Sequence, residues 1–259
     1  MRLPALLFVP AAVAVALLVL PVVGLLSRTD LRRLPELVSS PAAVDALWLS
    51  VRTSATATGL CLVVGVPLAV VLARGRLPGL RLLRATVLLP LVLPPVVGGL
   101  ALLYLLGRNG FGGRLLEAAL GIRLPFTTVA VVLAQTFVAM PFLVIGLEGA
   151  LRTAGARYEA VAATLGARPF VVFRRVTVPL LLPSIGSGLV LTFARALGEF
   201  GATITFAGNF PGTTQTLPLL AYQLAQSDVD SSVAVSLLLV ALALLVITLV
   251  RPRVIEGSP

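Results

Sequence analysis

Six long apolar segments constrain the fold of this chain more than any other feature of its sequence. They cover about residues 3–26, 55–73, 85–106, 126–147, 183–207 and 233–250. A helix needs about 20 mostly apolar residues to cross a bilayer, and each segment meets or approaches that length. We therefore predict an all-α integral membrane protein with six transmembrane helices, organised as one transmembrane domain over residues 1–259.

The composition supports a membrane protein and excludes several other classes. Hydrophobic residues make up 58% of the 259 residues and charged residues 12%, whereas soluble domains carry roughly 25% charged residues. The mean hydropathy is +1.08. With one cysteine and no histidine, the chain can form neither a disulfide framework nor a zinc site of the Cys/His kind.

All 20 basic residues are arginines, and the net charge is +10. Most of them lie in short turns between apolar segments, which favours membrane topology and lipid headgroups over nucleic-acid binding. If both termini are cytoplasmic, the inner loops carry more arginines than the outer loops, as the positive-inside rule requires. The inner set is Arg2, Arg74, Arg76, Arg81, Arg84, Arg152, Arg157, Arg168, Arg174, Arg175, Arg251 and Arg253, and the outer set is Arg28, Arg32, Arg33, Arg52, Arg108, Arg114 and Arg123. We predict a multi-pass protein of the cytoplasmic membrane with both termini in the cytoplasm.

The first apolar segment follows Arg2 and has two interpretations, a signal peptide or a membrane anchor. Its apolar run is longer than the core of a signal peptide, which has about 7 to 15 residues. No cleavage site of small residues stands out. We therefore expect this segment to be an anchor.

The inner loop over about residues 150–180 is rich in arginine, glycine and proline. Its apolar residues recur at the spacing of one helix face, at Tyr158, Val161, Ala162 and Leu165. Gly166 follows where a glycine can end the helix and turn the chain. Pro169 and Phe170 then begin a second short helix, which Pro179 and Pro183 are expected to interrupt. The apolar face suits either the membrane surface or the groove of a partner protein.

This stretch resembles the EAA loop of importer-type ABC transporter permeases. Gly166 matches the glycine of that motif, and Val176 with Val178–Pro179 stands where the motif ends in I-x-L-P. Ala160 occupies the position of the motif glutamate, and Glu159 lies one residue earlier. The resemblance implies the ABC importer permease fold and a loop that docks in a cleft of a cytoplasmic ATPase subunit. The implied coupling residues are Tyr158, Glu159, Ala160, Ala162, Leu165, Gly166, Pro169 and Phe170.

A second block, ARALGEFGATITFAGNFPGTTQTLPLLAYQ at residues 194–223, is similar to the corresponding segment of molybdate permeases. Sulfate and tungstate permeases share much of this architecture, so either anion is an alternative substrate. The resemblance implies import by alternating access in a complex with a second copy of the chain, two ATPase subunits and an extracytoplasmic oxyanion-binding protein. It implies no cofactor on this chain, because ATP and Mg²⁺ bind the ATPase.

Charged and polar residues in the fifth segment are candidates for the pore or its gate. Arg195 and Glu199 stand four residues apart, as on one helical face. Ionisable groups at membrane depth usually face a protein interior or water. The pair either faces the pore or is an ion pair between packed helices. Thr192 and Thr203 either offer donors to an anion or bridge neighbouring helices.

Two further segments leave alternatives open. Pro90, Pro94 and Pro95, followed by Gly98 and Gly99, predict a break or kink in the third segment, which either lines a cavity or serves packing. The outer loop at residues 208–218 has no charge and many turn-forming residues. It either contacts a binding protein, caps the pore mouth or forms a solvated turn.

An enzyme is disfavoured, because the chain lacks histidine, lysine and a Walker phosphate loop. A self-sufficient secondary transporter that uses Arg195 and Glu199 as an ion relay is the competing hypothesis of another class. A purely structural scaffold would leave the patterned inner loop unexplained.

Overall fold

The computed structural model describes residues 4–28, 30, 32–75 and 77–255, with residues 5 and 249–255 described by their backbone alone. These residues form thirteen helices and no strand. The helices are α1 (Phe8–Ser27), α2 (Leu34–Val38), α3 (Pro41–Arg74), α4 (Leu80–Val92), α5 (Pro95–Leu106), α6 (Phe111–Leu120), α7 (Thr128–Ala154), α8 (Arg157–Thr164), α9 (Pro169–Val172), α10 (Val178–Leu197), α11 (Gly201–Phe206), α12 (Leu217–Leu224) and α13 (Val229–Ile255). A 3-10 turn (Ala5–Leu7) precedes α1, and a π-helical turn (Phe173–Thr177) joins α9 to α10.

Five helical stretches are long and apolar enough to cross a membrane. They are Phe8–Ser27, Pro41–Arg74, Thr128–Ala154, Pro169–Leu197 and Val229–Thr248. A sixth span results if α4 and α5 count as one broken span, in which the helix axis bends by 116°. The prediction of an all-α membrane protein is therefore confirmed. The helix α1 has no buried residue, so its apolar side chains need lipid or another membrane helix as a neighbour.

The second span starts earlier than the predicted residue 55. The hydroxyl of Ser40 accepts a hydrogen bond from the Ala43 N–H at 3.4 Å, and Pro41 occupies the first turn, so both signals favour a helix start here. Arg52 consequently lies within α3 and not in an outer loop. Two other arginines of the topology argument, Arg2 and Arg76, lie outside the described residues, as do the side chains of residues 251 and 253.

The centre of the protein is the packing of α3 and α10 on α7. Small residues bring α3 and α7 together, since Ala57 and Cys61 are fully buried, and a Cβ added to Gly65 would meet the Val144 side chain at 3.3 Å. A Cβ on Gly188 of α10 would lie 2.8 Å from Leu143 of α7. Membrane helices commonly associate through such small residues because they allow close approach.

The third span is broken, as predicted, at Pro94 and Pro95, whereas Pro90 lies within α4 and does not interrupt it. Leu93 and Pro94 are extended between α4 and α5, where Pro94 and Pro95 cannot donate backbone hydrogen bonds. A Cβ on Gly99 of α5 would lie 2.6 Å from the Ala202 carbonyl oxygen of α11, and one on Gly201 would lie 2.7 Å from Pro95 Cβ. The two helices are therefore in backbone contact, which supports packing as the purpose of the break.

The fifth span differs from the prediction at both ends. Pro179 and Pro183 were expected to interrupt the helix, but the chain stays helical from Pro169 to Leu197 through the π-helical turn. The π-helical turn widens the helix just before Pro179. In a regular α-helical turn the preceding backbone carbonyl would clash with the proline ring. The predicted continuous helix to residue 207 is also wrong, because residues 198–200 are not helical and α11 begins at Gly201.

Candidate functional site

The loop predicted to be cytoplasmic forms a helix, a bend and a second helix, which we call the coupling segment (residues 157–172) after its predicted role. The bend is at Gly166, whose φ of +80° lies in the left-handed region that favours glycine. The N–H of Gly166 donates to the Ala163 carbonyl at 3.0 Å, and the N–H of Ala167 donates to the Ala162 carbonyl at 3.1 Å. These bonds satisfy the last carbonyls of α8 and fix the direction of the turn.

The apolar residues of the coupling segment point away from the rest of the chain. The exposed fractions are 59% for Tyr158, 52% for Val161, 82% for Leu165 and 70% for Phe170. Ala160 and Pro169 are also exposed, and Ala162 is half-buried. Tyr158, Val161 and Leu165 are spaced along one outward face of the segment, Phe170 is exposed after the bend, and Glu159 is the predicted residue that turns inward. A cluster of exposed large apolar side chains marks a site of interaction with a partner protein or with the membrane.

Glu159 points inward and connects the coupling segment to two other elements. Its Oε2 accepts a hydrogen bond from Arg74 Nε of α3 at 2.8 Å, and its Oε1 accepts one from Thr177 Oγ1 at 3.0 Å. Arg74 Nη2 also donates to the carbonyl oxygen of Gly155, in the turn between α7 and α8. Both side chains of the ion pair are largely buried, with 24% of Arg74 and 17% of Glu159 exposed.

A second cluster of charges lies near the same end of α7. Glu148 Oε1 accepts hydrogen bonds from Arg84 Nη2 of α4 at 2.6 Å and from Arg152 Nε at 2.9 Å. Both arginines also donate to the carbonyl oxygen of Leu72 in α3, at 3.4 and 3.5 Å. The cluster therefore joins α3, α4 and α7 at the end of the bundle that carries the coupling segment.

The candidate gate residues Arg195 and Glu199 form a largely buried ion pair. Arg195 Nη2 lies 2.8 Å from Glu199 Oε2, and 1% of the Glu199 side chain is exposed. The expectation that both residues share one helical face is wrong, because Glu199 lies in the break after α10. Its other oxygen, Oε1, accepts the Ala202 N–H at 2.8 Å and caps α11. Both carboxylate oxygens are thus engaged within the chain, which favours a structural pair over an ion relay.

The two candidate threonines of this region are both buried. Thr192 Oγ1 donates to the Gly188 carbonyl of its own helix at 2.7 Å, so it does not bridge two helices through this bond. Thr203 is fully buried, and its hydroxyl has no hydrogen-bond partner within the described part of the chain. Neither threonine is presented to an open channel in this conformation.

The loop at residues 208–218, predicted to be external, packs against the helices over part of its length. Thr214, Gln215 and Thr216 are buried, so a fully solvated turn is excluded. The Leu217 N–H donates to Ser50 Oγ of α3 at 2.7 Å, and Gln215 Nε2 donates to Gln223 Oε1 at 2.6 Å. Its tip, including Phe210 at 51% exposure, stays on the surface.

Within the described residues, no group of three or more histidine, cysteine, aspartate or glutamate side chains could hold a metal ion. Asp228 instead caps the start of α13. It accepts hydrogen bonds from the hydroxyl and the N–H of Ser231, at 2.5 and 3.2 Å. These bonds hold the pKa of Asp228 below its ordinary value. The neighbouring Asp230 lies 3.5 Å from Arg33.

Sequence comparison places the chain among transport proteins. A family model described as "binding-protein-dependent transport system inner membrane component" matches residues 62–255. The chain is 56% identical over 256 residues to the molybdenum transport system permease protein of Mycobacterium tuberculosis H37Rv, with 99% of this chain and 97% of the relative covered. It is 43% identical to the Escherichia coli K12 protein of the same name, covering 79% and 90%. A probable sulfate transport system permease protein of Nephroselmis olivacea is 37% identical, covering 88% and 82%.

Solved structures show the same fold at low sequence identity. A bacterial ABC transporter that imports alginate is similar with a TM-score of 0.73 and 17% identity, covering 98% of this chain and 95% of that chain. An alginate transporter in complex with a pentasaccharide-bound periplasmic protein gives a TM-score of 0.67 at 18% identity, covering 94% and 92%. Together with the matched family model and the relatives of high identity, these likenesses show that the chain belongs to the inner membrane components of binding-protein-dependent ABC importers, in the molybdenum permease family.

Proposed function

We propose that this chain is the permease subunit of an ATP-driven importer that carries molybdate, or a similar tetrahedral oxyanion, across the cytoplasmic membrane. The observation that carries this proposal is the 56% identity to a molybdenum permease over 99% of the chain. The lower identity to the sulfate relative, 37%, favours molybdate over sulfate. This chain itself catalyses no reaction, and ATP with Mg²⁺ binds a partner ATPase.

The coupling segment is the docking site for that ATPase. Its outward surface carries Tyr158, Val161, Leu165 and Phe170, all more than half exposed. An amphipathic helix that presents such anchors fits a hydrophobic groove on a partner. Because the segment lies on the cytoplasmic side in the proposed orientation, with both termini inside, the partner is a cytoplasmic ATPase.

Transport proceeds by alternating access between two packings of the helices. The nucleotide state of the ATPase biases the balance between these packings, because the ATPase holds the coupling segment. A second copy of the chain completes the pore, and an extracytoplasmic binding protein delivers the anion at the outer face. The Arg195–Glu199 pair stabilises the break between α10 and α11 in this scheme, and the ion relay of a secondary transporter loses support because both Glu199 oxygens are engaged.

Substitution of one exposed leucine tests the docking surface. Leu165→Glu places a charge on the surface at a position that is 82% exposed, so the permease should fold while the ATPase no longer co-purifies. Leu120→Glu is the matched control, since Leu120 ends α6 and is 64% exposed. Equal ATPase recovery with Leu165→Glu and with the unmodified chain would contradict the docking assignment.

A further inference from the structure

The coupling segment has one polar residue that turns away from its outward surface. Ala160 is exposed, whereas the neighbouring Glu159 side chain is 17% exposed and faces the body of the chain. One residue along an α-helix rotates a side chain by about 100°. The acid is therefore placed to contact the chain's own helices and not the partner that covers Tyr158 and Leu165.

One arginine holds the beginning of the segment at two points. Arg74 is the last residue of α3, and it donates to Glu159 Oε2 at 2.8 Å and to the carbonyl oxygen of Gly155. A guanidinium group has several donors in a rigid fork, so it can bind two acceptors in one fixed geometry. The remaining oxygen of Glu159 accepts from Thr177 Oγ1 at 3.0 Å, which adds the π-helical turn to the network.

The position of Arg74 connects this network to the centre of the protein. The helix α3 packs on α7 through Ala57 and Cys61, which are fully buried. A force on its last residue is applied to one continuous helix of 34 residues. Charge-assisted hydrogen bonds between partly buried side chains resist such a force better than an exposed pair does.

We propose that Arg74 is a positioning residue that ties the coupling segment to α3, so that movement of α8 is passed to the transmembrane bundle. This role rests on the proposed function. ATPase docking and ATPase coupling then depend on different residues. The outward apolar surface binds the ATPase, and the Arg74–Glu159 pair transmits its movement.

The test compares charge removal with charge exchange in the complete complex, which contains the chain, its ATPase and its binding protein in liposomes. Arg74→Gln and Glu159→Gln should each keep the ATPase bound and hydrolysing ATP. The molybdate taken up per ATP hydrolysed should fall roughly two- to thirtyfold, the range expected for residues that carry coupling. The double exchange Arg74→Glu with Glu159→Arg restores the ion pair but leaves the Gly155 carbonyl without its donor, so it should recover part of that loss. Unchanged ATPase binding in the single variants is the result that separates coupling from docking.

Arg123→Gln is the matched control, because Arg123 forms a 2.6 Å ion pair with Glu117 away from the coupling segment. Its uptake per ATP should equal that of the unmodified chain. The proposal is overturned if the single variants keep the unmodified ratio, if they release the ATPase, or if the double exchange recovers nothing. If the unmodified complex itself takes up no molybdate with ATP, the proposed function fails, and that result is distinct from a failure confined to the variants.

Discussion

Gly166 provides a graded test of the bend in the coupling segment. Its φ is +80°, and a Cβ added to it meets no atom within 4 Å. The cost of a substitution is therefore backbone strain alone, which is about 1–2 kcal/mol for an L-residue in the left-handed region. Asparagine tolerates this conformation best, alanine less well, and the β-branched valine least. A penalty of this size lowers the equilibrium ratio of bent to unbent segment by about five- to thirtyfold.

If the ATPase binds only the bent segment, its apparent affinity falls with the bent fraction, by up to that factor. We expect Gly166→Asn to stay close to the unmodified chain, Gly166→Ala to lose affinity, and Gly166→Val to lose most while the permease remains folded. The assay is titration of the detergent-solubilised permease with purified ATPase, together with the thermal unfolding midpoint of each variant.

Gly121 supplies the matched control for this series. Its φ is +68°, a Cβ there also meets no atom within 4 Å, and it ends α6 outside the coupling segment. Gly121→Val should carry a similar strain without changing ATPase affinity. Equal affinities for the Asn, Ala and Val variants of Gly166, or an equal loss with Gly121→Val, would refute the argument that the bend presents the docking surface.

Two further predictions concern the stability of the transmembrane bundle. Glu199→Ala leaves Arg195 largely buried without its partner, so the free energy of unfolding should fall by about 3–5 kcal/mol. Thermal unfolding measures this loss, with Glu117→Ala as the control because the Glu117 side chain is 32% exposed. Equally small losses in the two variants would contradict the prediction. Gly99→Ala places a Cβ 2.6 Å from the Ala202 carbonyl oxygen, so α5 and α11 must separate at a cost of about 1–3 kcal/mol. An unchanged thermal unfolding midpoint in Gly99→Ala would contradict a close backbone contact between α5 and α11.

Hydrophobic length and turn chemistry made much of this architecture predictable from the sequence. Membrane-length apolar stretches require helices, because backbone groups have no other partners in lipid. The break after Val92 follows from Pro94 and Pro95, and the bend at Gly166 follows from its place directly after Leu165, the last residue of the apolar spacing. Each of these signals is local, so a short stretch of sequence is enough to predict the feature.

Two of the features that were missed depend on distant residues. Arg74 and Glu159 are 85 positions apart, and no spacing rule pairs them. The inward packing of the outer loop depends on Ser50, which lies 167 positions from its partner Leu217. The break at residues 198–200 had a local signal, since an acid shortly before Gly201 can cap a helix. The apolar residues on both sides made one continuous span the simpler prediction.

Uptake by the reconstituted complex tests the central claim most directly. The chain is placed in liposomes with its ATPase and binding protein, and uptake of labelled molybdate is measured. The measurement is made with ATP on the ATPase side of the membrane, without ATP, and with ATP plus excess sulfate. We expect uptake only when ATP is available to the ATPase, with little inhibition by sulfate. Strong inhibition by sulfate would contradict the assignment of molybdate, and ion-gradient-driven uptake by this chain alone would contradict the ABC mechanism.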